Sequence, residues 1–230
     1  MLEYTGVQWQ TEEVRSAGDL GLVFMNRIQF LNRLIECHQY RTYLEIGVAG
    51  GDCFAAVQAA VKVGVEPDPG VKELNVPGGL LFCTTSDVFF ATVNGRNFFD
   101  LVFVDGLHHH EQVYRDVANA LDCLSVGGAI VLHDCNPRTA EMQQVPRIQA
   151  EWTGDCWKAI ARLRMTRPEL MVSVLDTDYG LGVVQRGRRE LVAYPKPWQD
   201  LGWEDLAAHR SELLGLAPLE EIDRYLRRRP

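Results

Sequence analysis

Tyr43-Leu-Glu-Ile-Gly-Val-Ala-Gly-Gly51 is the stretch from which the rest of the chain can be read. Apolar residues run up to Glu45, glycines crowd the turn at Gly47, Gly50 and Gly51, and an apolar, Ala-rich segment from Phe54 to Val63 continues with helical spacing. This pattern predicts a buried strand, a tight loop and a helix. Glycine lets backbone approach a ligand without a Cβ in the way, and a helix start offers free N–H groups, so a ligand is expected at the turn.

Dinucleotides and S-adenosylmethionine (SAM) both suit such a turn. Glu45, two residues before the first glycine, would repel a pyrophosphate but suits the cationic amino group of a methionine, and the glycine spacing fits a dinucleotide fingerprint poorly. Lys62 to Glu66 is expected as the next strand, ending in an acid about 15 residues beyond the turn, where a doubly wound fold grips ribose hydroxyls. SAM is therefore the expected cofactor, held by Glu45, Gly47, Gly51 and Glu66. A βαβ unit whose glycines serve packing alone is the bland alternative.

Working outward, Leu22 to Gln39 carries a helical apolar stripe, and residues 1 to 21 have no clear periodicity, leaving a flexible arm or a flap over the site. Gly79 to Thr85 is expected as a third strand, with Asp87 beyond it either accepting from the adenine amino group or capping the next helix. Phe98 to Asp105 is the clearest buried strand. Gly106-Leu107-His108-His109-His110 follows, then a helix from Glu111 to Leu124, a Gly127-Gly128 turn, and a strand from Ala129 to Leu132 that ends in His133-Asp134-Cys135-Asn136. Two neighbouring strands thus bring Asp105 and Asp134, with histidines beside them, to one rim. Residues 138 to 151 suggest a mobile loop over a substrate cleft. Asp155 is expected to cap a helix from Cys156 to Arg164, and Met171 to Asp176 with Gly182 to Gln185 to form an antiparallel pair.

The predicted fold is α/β: a doubly wound, Rossmann-like sheet of seven strands, mostly parallel with an antiparallel edge hairpin, plus a C-terminal helical tail. Residues 1–40 form an N-terminal arm and helix, 41–187 the ligand-binding core, and 188–230 an appendage with helices at Asp205 to Leu214 and Pro218 to Leu226. Trp198 and Trp203 in that tail either help cover the sheet edge or form a homo-oligomer contact.

A net charge of -8 and a pI near 5.3 argue against a nucleic-acid partner. The six cysteines contain no CxxC pair and lie mostly in apolar runs, which suits buried thiols in a reducing cytosol rather than zinc or disulfides. Neither a leader pattern, nor a membrane-length apolar run, nor an Asn-x-Ser/Thr acceptor occurs, so a cytoplasmic protein without membrane contact is expected.

From about Thr42 to Arg186 the chain resembles the class I SAM-dependent methyltransferases. Its glycine turn looks like their first motif, Glu66 like their ribose-binding acid, and Phe-Asp-Leu-Val-Phe-Val-Asp-Gly-Leu-His like their fourth-strand motif. Val-Asp-Gly-Leu-His-His-His-Glu-Gln-Val-Tyr-Arg-Asp followed by Gly-Gly-Ala-Ile-Val-Leu-His-Asp is similar to a bacterial subgroup that O-methylates sugars and natural products. The resemblance implies methyl transfer to a hydroxyl of a small molecule. It also implies Mg²⁺ on Asp105 and Asp134, yet Cys135 stands where catechol enzymes have Asn and macrolide-sugar enzymes Asp. Either Asn136 or water then completes the shell, or there is no metal. His133 or His108 is the candidate base, Asp134 joins them in the catalytic set, Asp105 is shared between cofactor and metal, and His109 is the expected bystander. A SAM-binding protein without catalysis and a nicotinamide-dependent oxidoreductase are the rival classes. An amine acceptor is disfavoured because Asp-Cys-Asn-Pro-Arg lacks the aromatic that follows an Asn-Pro-Pro motif.

Overall fold

The computed structural model describes residues 24–93 and 98–227, and the arm expected over residues 1 to 21 lies outside them. In chain order the elements are α1 (Arg27–His38), β1 (Thr42–Ile46), α2 (Asp52–Ala56), β2 (Val61–Glu66), β3 (Gly79–Cys83), α3 (Ser86–Thr92), β4 (Phe99–Val104), α4 (His110–Cys123) and β5 (Leu124–Leu132). They continue with α5 (Cys156–Thr166), β6 (Leu170–Leu175), β7 (Leu181–Arg186), α6 (Trp203–Leu214), β8 (Leu216–Ala217) and α7 (Asp223–Leu226). One sheet runs in the order β3-β2-β1-β4-β5-β7-β6-β8. It is parallel from β3 to β5, and β7 is antiparallel to both of its neighbours. The Rossmann-like α/β fold is therefore present, with an eighth strand: two residues of β8 pair in parallel with β6 at the edge.

Strand side chains alternate between faces. Leu44, Val102, Val104, Ile130 and Leu132 pack in one core with residues of α3, α4, α5 and α6. Tyr43, Leu101, Phe103 and Val131 pack in the other with α1, α2 and α7. The C-terminal segment crosses the β6 edge, so Leu206 and Leu213 serve one core and Ile222 and Tyr225 the other. The chain winds outward from β1 to β3, then returns to place β4 on the other side of β1. That reversal opens a crevice at the C-terminal ends of β1 and β4, where open α/β sheets bind ligands.

Three local expectations are corrected. The helix expected from Phe54 to Val63 ends at Ala56. Its last carbonyls are taken by side chains instead of by further helical N–H groups: the Lys62 ammonium donates to Phe54 O at 2.8 Å and Ala55 O at 3.2 Å, and Asn32 donates to Ala56 O at 3.1 Å. Gly127 and Gly128 lie inside β5, at a register shift opposite Phe99 and Leu101, and not ahead of the strand. Helix α3 is capped by the Thr85 hydroxyl, which accepts from Val88 N, so Asp87 is not its cap.

Lys62 is 6% exposed, and Lys62→Met keeps its packing while removing both charged hydrogen bonds. A loss of about 1.5–3 kcal/mol is expected, seen as a melting temperature lower by roughly 5 °C in calorimetry. An unchanged melting temperature would show that water replaces the ammonium at the helix end without penalty.

Candidate active site

The glycine turn is shaped by its neighbours as much as by a ligand. Gly47 has φ +89°, and a Cβ there would lie 2.2 Å from Asp105 O, so only glycine lets the first turn press on the end of β4. Gly51 also has positive φ, whereas a Cβ on Gly50 would meet open space. Glu66, at the end of β2, accepts from Ala49 N at 2.9 Å and Asp68 N at 3.0 Å, tying its carboxylate to the turn. Glu45 points down from the turn: it is 1% exposed and accepts from the Tyr43 hydroxyl at 2.5 Å. Burial pushes its carboxyl up to about 8, with the charge of Asp105 adding to the rise and the Tyr43 hydrogen bond opposing it. Asp87 is half-exposed in the first turn of α3 and faces Gln112 and Arg115.

At the ends of β4 and β5 the structure brings Asp105, Asp134, His108 and His133 together. His108 bridges the two aspartates, with Nε2 at 3.3 Å from Asp105 Oδ1 and Nδ1 at 3.2 Å from Asp134 Oδ2. The Nδ1 atom is buried and its approach to Asp134 is not a hydrogen bond. His133 lies deeper: Nδ1 is 3.3 Å from both Asp105 Oδ1 and Asp134 Oδ2, and Nε2 is 3.5 Å from Asp178 Oδ1. Both its nitrogens therefore face carboxylates. Burial alone would lower the His133 pKa, but Asp105 and Asp134 outweigh it and raise it well above the ordinary imidazole value. The same contest raises His108, through Asp105 first, and burial of Asp105 is outweighed by the two imidazoles, which hold its carboxyl below the usual range. Asp134 sits at φ +58°, a left-handed conformation that side chains adopt at a cost, which turns its carboxylate toward the histidines.

Two participants escaped the sequence reading. Asp178, in the turn between β6 and β7, accepts from Arg27 N at 2.6 Å and pairs with its guanidinium at 3.3 Å. Arg27 Nε lies 3.9 Å from Asp105 Oδ2, and Nη1 lies 3.5 Å from His133 Nε2. One signal was available: Arg27 opens α1, whose first turn has no acid, and a cation there opposes the helix dipole. Local propensity does not choose it.

The histidine loop is locked from behind. Asp155, read as a helix cap, makes no capping bond, and instead accepts from His110 N at 2.7 Å and pairs with His110 Nδ1 at 2.6 Å. Gly154, at φ +57°, lies so close to His108 O that a Cβ would clash at 1.9 Å. His108 stacks on Trp152 at 5.2 Å, and His109 meets the same ring edge-on. Trp152 follows the segment 138–151, which carries no helix or strand.

The donor set fits Mg²⁺ poorly. Atoms of Asp105, His108 and Asp134 lie within 4.8 Å of one another, giving two oxygen donors and a nitrogen where Mg²⁺ wants oxygens. Neither residue after Asp134 helps. Cys135 turns its thiol inward to His133 O at 3.3 Å. Asn136, expected to complete a shell, donates to Asp176 Oδ1 at 2.9 Å and accepts from Arg210. His133 and Arg27 already supply countercharge to these carboxylates.

Residues 44–135 match the family model described as a methyltransferase domain. Among solved structures, the chain is similar to the Podospora anserina methyltransferase PaMTH1 bound to S-adenosylhomocysteine (SAH), at 19% identity over 71% of this chain and 78% of that one, with a TM-score of 0.55. The O-methyltransferase TomG of Streptomyces achromogenes, involved in tomaymycin synthesis and bound to SAM, is 16% identical over 70% and 79% of the chains, with a TM-score of 0.54. An O-methyltransferase from Bacillus cereus, in complex with SAH, is 16% identical over 71% and 80%, with a TM-score of 0.51. No curated protein matches the chain. The sheet order and these likenesses show the Rossmann-like fold of the class I methyltransferases, with a methyltransferase domain matched over residues 44–135. Among the described residues no helix is long and apolar enough to cross a membrane, and all six cysteines are free thiols.

Proposed function

We propose that the protein transfers the methyl group of SAM to a hydroxyl of a small molecule, of the sugar or natural-product class. The observation that carries this reading is His108, poised between Asp105 and Asp134 at the rim beside the glycine turn. Glu66 and the turn would hold the adenosyl half, and SAM bound there would supply the methyl group beside the β4 and β5 ends. The substrate oxygen attacks the methyl carbon, the C–O bond forms as the C–S bond breaks, and SAH leaves. His108 is the candidate acceptor of the hydroxyl proton, its ring fixed by Asp105 through Nε2. His133, with carboxylates on both nitrogens, has no lone pair to offer as an imidazolium. Its role is to position Asp105, Asp134 and Asp178, and Asp134 in turn stabilises His108 as it becomes charged. Asp87, no longer needed as the cap of α3, is the candidate acceptor for the adenine amino group. The acidic whole fits neutral acceptors and no nucleic acid. The cytosol is the inferred compartment.

SAH formation with sugar and polyketide hydroxyls as acceptors tests the reading. Turnover should persist after dialysis against EDTA, since no step uses a metal, and His108→Ala should lower it by about 10²- to 10⁴-fold while SAH affinity stays within a factor of about three. Loss of turnover in EDTA that Mn²⁺ or Mg²⁺ restores would transfer the proton-releasing role to a metal on Asp105 and Asp134. Binding of NADH in place of SAH would remove the cofactor assignment.

A further inference from the structure

The rim is rich in carboxylates, with Asp105, Asp134 and Asp178 around it and Glu45 beneath. These suit the cationic parts of SAM, its sulfonium and its ammonium. The methionine end also carries a carboxylate, which needs a cation or N–H donors in the same crowded space. Among the described residues, Arg27 supplies the guanidinium at this cluster. It is fixed from two sides, by its own backbone N–H and by Nη1, both on Asp178. Its Nε is buried without a hydrogen-bond partner and lies 3.9 Å from Asp105, beyond hydrogen-bond reach. About a third of the whole side chain, 36%, stays exposed. Its charge also acts on Glu45 and on Cys53, two residues past Gly51. Arg27 thus stands at the histidine–aspartate cluster, near enough to the foot of the glycine turn for its charge to act there.

We propose that Arg27 binds the carboxylate of the cofactor's methionine end, with Asp178 positioning the guanidinium. The inference rests on the reading that the glycine turn binds SAM. A preset planar fork suits a carboxylate, and a charge-assisted pair of this kind discriminates sharply against a ligand without one.

The test is a calorimetric cycle on the full chain with two ligands, SAM and decarboxylated SAM, which keeps the sulfonium and amine and lacks only the carboxylate. Wild type should bind SAM about 10- to 100-fold more tightly than its decarboxylated form, a difference of about 1.4–2.8 kcal/mol. In Arg27→Ala that preference should fall to about threefold or less, and Arg27→Lys should restore part of it. Equal weakening of both ligands in Arg27→Ala would give Arg27 a scaffolding role and overturn the proposal, as would a preserved preference. Wild type that binds neither ligand would defeat the cofactor reading itself, a result that the variants cannot mimic.

Discussion

Asp105→Asn is expected to lower turnover by about 10³-fold and stability by about 3–5 kcal/mol. Asp105 is where the site's nitrogen donors converge: His108 Nε2 and His133 Nδ1 each lie 3.3 Å from Oδ1, and Arg27 Nε lies 3.9 Å from Oδ2. Asparagine keeps the shape, removes the charge, and turns an NH₂ toward donors. What remains is a buried imidazolium with one carboxylate fewer, and an uncompensated buried charge costs more than a missing pair. The pH dependence has a definite sign. The Asp105 carboxyl is held below its ordinary range, so its contribution is complete above about pH 4 and is lost as the pH falls toward the folded-state value. The gap in melting temperature between wild type and variant, roughly 10 °C at pH 7, should therefore narrow in acid. The double variant Asp105→Asn/His133→Gln removes both partners and should recover much of the stability and none of the turnover. If Asp105→Asn alone melts with wild type, His133 is neutral in the folded protein and the charge network described here is wrong.

The candidate rim was legible in the sequence because strand periodicity and chain order suffice to place it. Phe98 to Asp105 and Ala129 to Leu132 could be read as buried strands, and parallel neighbours put their last residues at one end of a sheet. Asp105, His108, His133 and Asp134 follow from that alone. The Arg27–Asp178 pair does not. Its members are 151 residues apart, and each has a local reading that hides it, one as an ordinary charge on a helix and the other as a turn residue in Thr-Asp-Tyr-Gly. Long-range pairing leaves no periodic trace. Asp155 misled for a related reason: its position before α5 has cap chemistry, yet a hydrogen bond to His110 from another element wins. The overlong α2 shows tertiary override of propensity, since apolar spacing continues past Ala56 but the Lys62 ammonium takes the carbonyls that the helix would have used.

Glu45 gives the second large effect, and it separates stability from ligand recognition. Its folded-state carboxyl is pushed up to about 8, against about 4.3 for an unfolded glutamate. Between those values the folded protein holds a proton that the unfolded chain has lost. Stability should therefore fall as pH rises through this window, by up to about 1.4 kcal/mol per pH unit. In Glu45→Gln the side chain still accepts from the Tyr43 hydroxyl but cannot ionise. Its melting temperature should stay nearly flat between pH 5 and pH 8 by order of ~1–2 °C, where the ligand-free wild type loses ~10 °C. If the two proteins share one slope, Glu45 is already a carboxylate in the fold. The same proton reports on the ligand. A methionine ammonium bound above Glu45 would draw it to the charged form, so SAM binding at pH 7 should release up to about one proton, measured as heat that varies with the ionisation enthalpy of the buffer. Glu45→Gln should release none. Buffer-independent heat in wild type would mean that the ammonium is met elsewhere, by Asp105 or Asp178 on the rim, and that the acid before the glycine turn serves the fold through Tyr43 instead of the cofactor.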